Sequence, residues 1–235
     1  MVSTTREARI AETFVELSDA LVDDFDVIEL LHVLAARCVE LLDLDAAGLV
    51  MADVNGSLRT VAASDERTRA LEQAEIQSGQ GPCVDCFRSG EPLVNVDLRS
   101  ARGRWPGFAP QAVAAGLGTS SVLPLRLRTN VVGALNLLRT GALDEADLRL
   151  AQAMAGAATI SILAYRTIRR GELLGAQLQN ALDSRVVIEQ AKGVLAERSR
   201  IGVDEAFRRL REYARSHNRS LSDLAAEVVS GAIDL

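Results

Sequence analysis

The first 42 residues alternate apolar and polar positions at helical spacing and predict two amphipathic helices. The first helix lies in EARIAETFVELSDALV and the second in DVIELLHVLAARCVELL. The second begins behind Asp26, and Glu29 three residues later completes the pattern of a capping box. Four apolar residues at helical spacing form the buried face of the first helix: Ile10, Phe14, Leu17 and Leu21.

From Asp45 onwards the apolar positions change to the spacing of strands. AAGLVMADVNGSLRTVAAS predicts two strands joined by a turn at Asn55-Gly56. A helix and a loop that ends in SGQGPCVDCFRSGEP follow, and then a short strand, PLVNV, and a stretch with one short helix, GRWPGFAPQAVAAGLG. TSSVLPLRL and VVGALNLLR predict a buried hairpin, in which Pro124 indicates an edge or a bulge.

The remaining residues predict helices only. LDEADLRLAQAMAGAATISILAYRTIRRGELLGAQLQNAL reads as one long helix with Asp144 as its N-cap, and three further helices follow Asp183. The order of elements is therefore two helices, a mixed sheet with connecting helices, a long exit helix and a compact helical tail.

Charge is unevenly distributed along the chain of 235 residues, which has a net charge of −6. Residues 1–165 carry 14 basic and 22 acidic side chains, whereas residues 166–235 carry 12 and 10. A polyanionic partner is therefore expected only in the tail. The charged amino-terminal segment is no secretory signal, and the apolar run 151–165 is too short to span a membrane, so we expect a cytoplasmic protein without a membrane partner.

The three cysteines should be reduced thiols rather than disulfides. Cys83 and Cys86 form a CxxC, but the chain has two histidines only, so a zinc site would need carboxylates or a second chain. The pair is either a redox motif or two buried thiols that line a pocket. Cys38 and His32 read as core residues. No catalytic set, cofactor or metal ion is expected.

The segments GQGPCVDCFRSGEPLVNVDL and GLGTSSVLPLRLRTNVVGALNLL resemble the GAF domain family. The resemblance covers residues 8–165 and implies an α+β fold, with a central antiparallel sheet flanked by helices and a small-molecule pocket on one face. It also implies dimerisation through the terminal helices. The cyclic-nucleotide signature of the family is missing, so the ligand is unknown.

The helical tail combines a small apolar core with cations. Lys192 is the only lysine of the chain; it lies beside the apolar stripe of the first tail helix, about 20° from Arg185, and Gly193 follows it. A glycine in a helix costs roughly 1 kcal/mol, which indicates that a helix or a ligand approaches its backbone. The predicted core positions of the next two helices are Ala206, Phe207, Leu210, Ala214, Leu221, Leu224, Ala225, Val228 and Val229, and Tyr213 is expected to be partly buried.

The segments ALDSRVVIEQAKGVLAER and DEAFRRLREYARSHNRSLSDLAAEVV resemble the ANTAR domain, the RNA-binding module of transcription antitermination regulators. The resemblance implies a three-helix bundle that binds paired stem-loops in an mRNA leader. We expect a GAF sensor at 8–165, a helical connector at 166–182 that could form a coiled coil, and an ANTAR domain at 183–235. The candidate RNA-binding residues are Arg185, Gln190, Lys192, Gly193, Arg208, Arg211, Arg215, Asn218 and Arg219.

These features predict a homodimeric, non-enzymatic regulator that binds RNA, with two alternatives. A small basic helical bundle can also bind duplex DNA, and Cys83 with Cys86 could serve a redox sensor or enzyme. Lys192 itself also fits a solvated position on a surface helix, and Gly193 a close contact between helices. Lysine differs from arginine in offering a compact ammonium group on a flexible stem, which suits a phosphate or an unpaired base.

Overall fold

The computed structural model describes residues 5–18 and 26–235. The chain divides into two compact units, Met1–Thr167 and Ile168–Leu235. Leu21, predicted on the buried face of the first helix, lies outside the described residues. The first unit contains α1 (Arg6–Ser18), α2 (Val27–Leu42), β1 (Ala46–Ala52), β2 (Leu58–Ala63), α3 (Glu66–Ser78), α4 (Pro82–Ser89), β3 (Leu93–Asp97), a 3-10 turn (Ser100–Gly103), α5 (Ala109–Ala114), β4 (Thr119–Leu127) and β5 (Asn130–Arg139).

The five strands form one antiparallel sheet in the order β2-β1-β5-β4-β3. The antiparallel sheet implied by the GAF resemblance is confirmed, and the mixed sheet expected from the order of elements is wrong. Alternate residues of each strand face opposite sides, as strand geometry requires. Ala47 and Leu49 of β1 face a core with α2 and with the start of the long helix α6 (Glu145–Ser199), whereas Ala46 and Val50 face the side of α3, α4 and α5.

The predicted hairpin is formed by β4 and β5, which pair from Thr119 with Arg139 to Leu127 with Asn130. Pro124 lies two residues beyond Val122, the last β4 residue paired with β3, so it needs no donor on that side. The register also shifts between Leu125 and Arg126. Pro124 therefore lies where β4 has no partner strand on one side and next to a bulge on the other, so both explanations offered for it apply.

Two further predictions about the first unit need correction. The segment Pro82–Ser89, predicted as a loop, is the helix α4, which begins behind Gly81 and ends at Gly90 with φ of 70°. His32, predicted as a core residue, is exposed because it lies on the outer side of α2. Cys38 of the same helix is fully buried, as predicted. Asp26 caps α2 by accepting a hydrogen bond from the Ile28 amide at 2.7 Å.

Helix α6 (Glu145–Ser199) is longer than the pattern indicated. Asp144 caps it, as predicted, through a hydrogen bond of 2.8 Å from the Asp147 amide. The break expected at Asp183 is absent, so the connector and the first helix of the tail are one helix. By length and composition a part of α6 could cross a membrane, but core helices of soluble proteins share these properties, and Met154 and Ile162 are fully buried in the first core.

The second unit is a small three-helix bundle made by the carboxyl-terminal part of α6 with α7 (Val203–Ser216) and α8 (Leu221–Ser230). The predicted bundle is confirmed, with three exceptions in its core: Val229 is 38% exposed, and Phe207 and Leu221 are half-buried. The buried residues are Ala191, Leu195, Ala206, Leu210, Ala214, Leu224, Ala225 and Val228.

Candidate functional site

Lys192 lies on α6 at the junction with α7, and its ammonium group is held on two sides. It donates hydrogen bonds to both carboxylate oxygens of Glu189, at 2.8 and 2.9 Å, one turn earlier on the helix. It also lies 5.2 Å from the centre of the Phe207 ring, within the range of a cation–π contact. Its side chain is 16% exposed, so the stem is largely buried while the charge remains near the surface.

Phe207 connects the two predicted basic elements of the bundle. The guanidinium of Arg211 lies 5.6 Å from the same ring centre, so the ring is in contact with one cation from α6 and another from α7. Phe207 is half-buried rather than fully buried. Aromatic rings attract cations through the negative potential of their faces, which fixes Lys192 and Arg211 in a common patch.

Gly193 lies beside this patch and is exposed. A side-chain carbon at its position would have no neighbour within 4 Å among the described residues. Close packing of another helix of this chain, the alternative reason for a glycine here, is therefore not observed in the described part of the chain. The backbone at Gly193 is instead open to a ligand or to a second molecule.

All but one of the other predicted contact residues are exposed, the exception being the half-buried Arg219. Arg208 forms an ion pair with Glu205, one turn earlier on α7. Arg208 and Arg215 share with Arg211 the predicted i, i+3, i+7 spacing on α7, so the three lie on one flank. The exposed members of the set are Arg185, Gln190, Gly193, Arg208, Arg211, Arg215 and Asn218.

Asn218 and Arg219 have evident structural roles at the turn between α7 and α8. Asn218 has a φ of 50°, a left-handed conformation that asparagine tolerates better than most residues. Arg219 forms a two-pronged ion pair with Glu227 of α8. Its hydrogen bond to Glu227 raises the pKa of Arg219 and lowers that of Glu227 below its ordinary value. Arg219 therefore ties the turn to α8.

The first unit contains a cavity of about 440 Å³ between β2, α3 and α4. Its lining is mostly apolar, with one cation, and consists of Gly56, Ser57, Leu58, Ile76, Gly79, Val84, Phe87 and Arg88. Cys83 and Cys86 are both fully buried, so neither thiol is in contact with space that water can reach. The prediction that they are buried is confirmed, and neither thiol is among the residues that line this cavity.

Burial makes these thiols poor nucleophiles. It raises the pKa of Cys38 and of Cys86 to about 12, and it raises the pKa of Cys83 well above its ordinary value. The thiolate is the reactive form of cysteine, and reactive cysteines lie in exposed, electropositive surroundings. The structure therefore offers no support for a redox enzyme that uses Cys83 and Cys86.

Two buried glutamates of α3 surround the Cys83 thiol, and sequence reasoning missed both. Glu72 Oε1 accepts a hydrogen bond from Asn136 Nδ2 at 2.9 Å, and Oε2 accepts one from Cys83 Sγ at 3.3 Å. Glu75 Oε1 accepts one from the Val84 amide at 2.7 Å. Burial raises the pKa of Glu72 to about 7, and burial together with the neighbouring Glu72 raises the pKa of Glu75 well above its ordinary value.

The features that sequence reasoning missed have different origins. Glu72 and Glu75 have the helical spacing of the buried face of α3, but acidic residues in a helix are almost always exposed. Phe207 was recognised as apolar and assigned to the core. The contact between Tyr213 and His217, whose rings stack with centres 4.0 Å apart, follows from their i, i+4 spacing.

Comparisons with known structures show the fold of the first unit. The GAF domain of an Acinetobacter phosphoenolpyruvate-protein phosphotransferase is 11% identical, with a TM-score of 0.54, over 71% of this chain and 98% of that one. The corresponding Coxiella burnetii domain is 15% identical, with a TM-score of 0.52, over 71% and 99%. The free methionine-R-sulfoxide reductase of Neisseria meningitidis, solved with its substrate, is 17% identical, with a TM-score of 0.51, over 72% and 96%.

At these identities the likeness shows the fold and nothing about chemistry. A comparison with curated proteins found no match. Two family models match the sequence: the model of the GAF domain matches residues 26–162, and the model of the ANTAR domain matches residues 176–229. Together these domains support a regulator with a sensor domain. The chain therefore belongs to the GAF domain family and carries a carboxyl-terminal ANTAR domain.

Proposed function

We propose that the protein is a transcription antitermination regulator whose ANTAR domain binds paired stem-loops in nascent mRNA under the control of its GAF sensor. The observation that carries the proposal is the patch of Lys192, Phe207 and Arg211, which lies beside the open backbone of Gly193. We name these four residues the cation–aromatic patch.

The cation–aromatic patch has the chemistry that unpaired RNA requires. An ammonium group and a guanidinium can each bind a phosphate, and a half-buried ring offers an apolar surface beside them. The missing side chain at Gly193 lets a nucleotide approach the helix backbone. The glutamate that now binds Lys192 is 58% exposed, so a phosphate can take its place on the ammonium without burying a carboxylate.

Stem-loop binding would act on transcription through competition between RNA structures. By analogy with the family, a protein that holds the stem-loops in their folded form denies the overlapping terminator one of its strands, and the polymerase continues. The GAF unit would control this step through a small molecule that binds one conformation or assembly state better than another. The cavity of the first unit, lined by Val84, Phe87 and Arg88 among others, is the candidate ligand site. We propose that the protein carries out no catalysis and acts in the cytoplasm, with its transcripts.

We further propose that the protein is a homodimer formed through α6. The part of α6 beyond the first unit carries exposed apolar residues, and a row of such residues on the surface is unfavourable in water. They are Ile168, Leu174, Leu178, Leu182 and Val186. Four of them are spaced by four residues, a row that drifts by about 40° per step and favours two crossing helices over an extended coiled coil. Leu178→Glu should convert the dimer to a monomer in light scattering, whereas Gln177→Glu should leave the dimer intact.

The proposed boundaries of the functional parts are residues 8–165 for the GAF sensor, 166–182 for the connector and 183–235 for the RNA-binding domain. The connector and the RNA-binding domain share α6, so a change in how two copies of α6 pair would be transmitted to the position of Lys192 and Gly193. This provides a physical route from sensor to output.

The test uses the full-length protein and RNA that co-purifies with it. Sequencing that RNA supplies a probe with two stem-loops, and fluorescence anisotropy measures its affinity at several salt concentrations. The probe should bind tightly, while a probe with scrambled loops, a probe with one stem-loop and duplex DNA of the same sequence should bind weakly. Transcription in vitro past a terminator that overlaps the stem-loops should then give more read-through with the protein. Equal or tighter binding of the duplex DNA would overturn the proposal.

A further inference from the structure

We propose that Glu72, Glu75 and Cys83 form a binding site for one divalent transition-metal ion, of the class of Zn²⁺ or Fe²⁺, inside the GAF unit. The proposal concerns the first compact unit and is independent of RNA binding. It departs from the sequence-based expectation that the chain holds no metal ion, because the fold supplies the two carboxylates that the CxxC segment lacked.

The donor atoms are close enough to share one ion. One donor atom from each of the three residues lies within 4.8 Å of the others, and Cys83 Sγ is 3.3 Å from Glu72 Oε2. In a tetrahedral site with metal–sulfur and metal–oxygen distances of about 2.3 and 2.0 Å, the sulfur–oxygen edge is about 3.5 Å. The thiol and the first carboxylate therefore already have the separation of two ligands, and small side-chain rotations would bring in the second carboxylate.

Glu75 Oε2 gives independent evidence for a missing partner. This atom is buried and accepts no hydrogen bond of ordinary geometry from the described residues. Burial and the neighbouring Glu72 raise the pKa of Glu75, and the nearby thiol and amide of Cys83 lower it to a smaller extent. Buried carboxylate oxygens without a partner are costly and rare in folded proteins. A cation between Glu75 and Cys83 would satisfy the atom.

The surrounding backbone is shaped to admit the two carboxylates. A side-chain carbon at Gly48 of β1 would lie 2.5 Å from Glu72 Oε1, and one at Gly81 would lie 2.5 Å from the carboxyl carbon of Glu75. Neither glycine has a left-handed backbone conformation, since Gly81 with a φ of 167° is extended, so backbone conformation does not require them. Each is instead required by space, and together they keep two acidic side chains in the interior.

Further contacts would orient the ligands from outside. Asn136 donates to Glu72 Oε1 and in turn accepts a hydrogen bond from the Ser120 hydroxyl at 2.8 Å. The Val84 amide donates to Glu75 Oε1, and Cys83 lies in the first turn of α4, where the helix dipole favours a thiolate. Hydrogen bonds of this kind fix ligand orientation and offset the negative charge that remains after a divalent ion binds.

The donor set selects the class of ion. A thiolate with two carboxylates suits Zn²⁺ or Fe²⁺, whereas Mg²⁺ and Ca²⁺ require oxygen ligands only. On binding, the ion replaces the protons of Cys83 and of any protonated carboxyl group, and these protons leave to solvent. All three residues are fully buried, so the ion must enter during folding or local opening. Three protein ligands leave a fourth position for water or a small molecule.

The test measures metal content of the full-length protein expressed in medium supplemented with Zn²⁺, Fe²⁺ or Co²⁺, with native mass spectrometry and elemental analysis. One ion per chain is expected, together with a thiolate-to-metal absorption band in the Co²⁺ form and a higher melting temperature than that of the chelated protein. Glu75→Gln and Cys83→Ser should each lower metal affinity by more than about tenfold. Without metal, the melting temperature of Glu75→Gln should be no lower than that of the parent, because a neutral amide avoids the cost of burying a carboxylate.

Two matched controls separate the site from its surroundings. Cys86→Ser changes a buried thiol of the same helix that lies outside the donor group, and Glu66→Gln removes a carboxylate at the exposed start of α3. Both variants should retain one ion per chain. The proposal is overturned if the parent protein takes up none of the three ions, or if Glu75→Gln and Cys83→Ser bind as much metal as the controls. The measurement on the parent decides even if a variant fails to fold.

Discussion

Lys192→Met is the substitution that tests the contribution of the Lys192 charge within the cation–aromatic patch. The side chain of Lys192 is 16% exposed, and its stem lies against the rest of the bundle while the ammonium contacts Glu189 and Phe207. Methionine keeps a long unbranched stem and a similar helix propensity, so it removes the charge and little else. Alanine would also remove methylene groups, each worth about 0.8 kcal/mol when buried.

The expected effect of Lys192→Met on stability is small. The variant loses an i, i+3 ion pair worth about 0.2–0.5 kcal/mol and a cation–π contact worth about 0.5–1 kcal/mol. A contact between the methionine sulfur and the Phe207 ring returns about 0.3–1.5 kcal/mol. The free energy of unfolding should therefore change by less than about 1 kcal/mol. Lys192→Ala should lose about 2 kcal/mol from its buried stem.

The expected effect of Lys192→Met on RNA binding is much larger. A hydrogen bond to a charged group contributes about 1.5–3 kcal/mol, so affinity should fall about ten- to a hundredfold. The loss of one phosphate contact should also reduce the slope of log affinity against log salt by about 0.7–0.9. Lys192→Arg keeps the charge but replaces the compact ammonium with a planar fork, so it should weaken binding with an unchanged slope.

Fluorescence anisotropy of the full-length variants with the co-purified two-stem-loop RNA measures both quantities. Arg149→Met is the matched control, because Arg149 also lies on α6 and forms an ion pair with a glutamate of the same helix, Glu145. It should bind RNA like the parent. Glu189→Gln frees the Lys192 ammonium and should tighten binding about two- to fivefold. Equal affinities and salt slopes of Lys192→Met and the parent would refute the role assigned to Lys192.

Three other predictions address the remaining parts of the account. All three thiols should resist a thiol reagent in the native protein at neutral pH and react after unfolding, because burial raises the pKa of Cys38 and Cys86 to about 12; fast native labelling would contradict their burial. Leu210→Ala should destabilise the bundle by about 2–5 kcal/mol in calorimetry while the GAF transition is unchanged, since Leu210 is fully buried in the second core; a shift of both transitions would argue against independent units. The hydrogen bond from Arg219 lowers the pKa of Glu227, so their pair should stabilise the bundle at neutral pH and lose this effect as the pH falls through the lowered pKa; Glu227→Gln should therefore be less stable than the parent at neutral pH but not in acid, and a constant difference would contradict this.

Much of the fold could be predicted because local patterns and the final structure agree. The caps at Asp26 and Asp144, the turn at Asn55-Gly56 and the alternation in β4 and β5 each act within a few residues. The helix α4 was missed although it carries the usual signals, Pro82 at its first position and Gly90 after its end. It contains only eight residues, too few for a periodic apolar stripe to be recognised.

The errors arose where tertiary contacts override local preference. Nothing in the segment around Asp183 shows that α6 continues, because the polar residues there fit both a helix and a break. His32 was assigned to the core from its apolar neighbours, but its side chain points away from the face that Leu31 and Leu34 bury. In each case the decisive information is the position of a neighbouring element.

The candidate sites also combine residues that the sequence reveals with contacts that only the fold creates. Lys192 and Arg211 were recognised from composition and helical spacing, whereas their shared contact with Phe207 depends on how α6 and α7 cross. Glu72 and Glu75 lie in a helix, and Cys83 lies in the next one, so no sequence spacing shows that they meet. A glycine opposite each carboxylate becomes meaningful only once the sheet is in place.

The most direct test of RNA binding by the ANTAR unit is photochemical cross-linking of full-length protein to its co-purified RNA, followed by mass spectrometry of the nucleotide-bearing peptides. The account predicts adducts on peptides that contain Lys192, Phe207 or Arg211, and their loss in Lys192→Met. Adducts confined to residues 1–167, or none on the second unit, would contradict it.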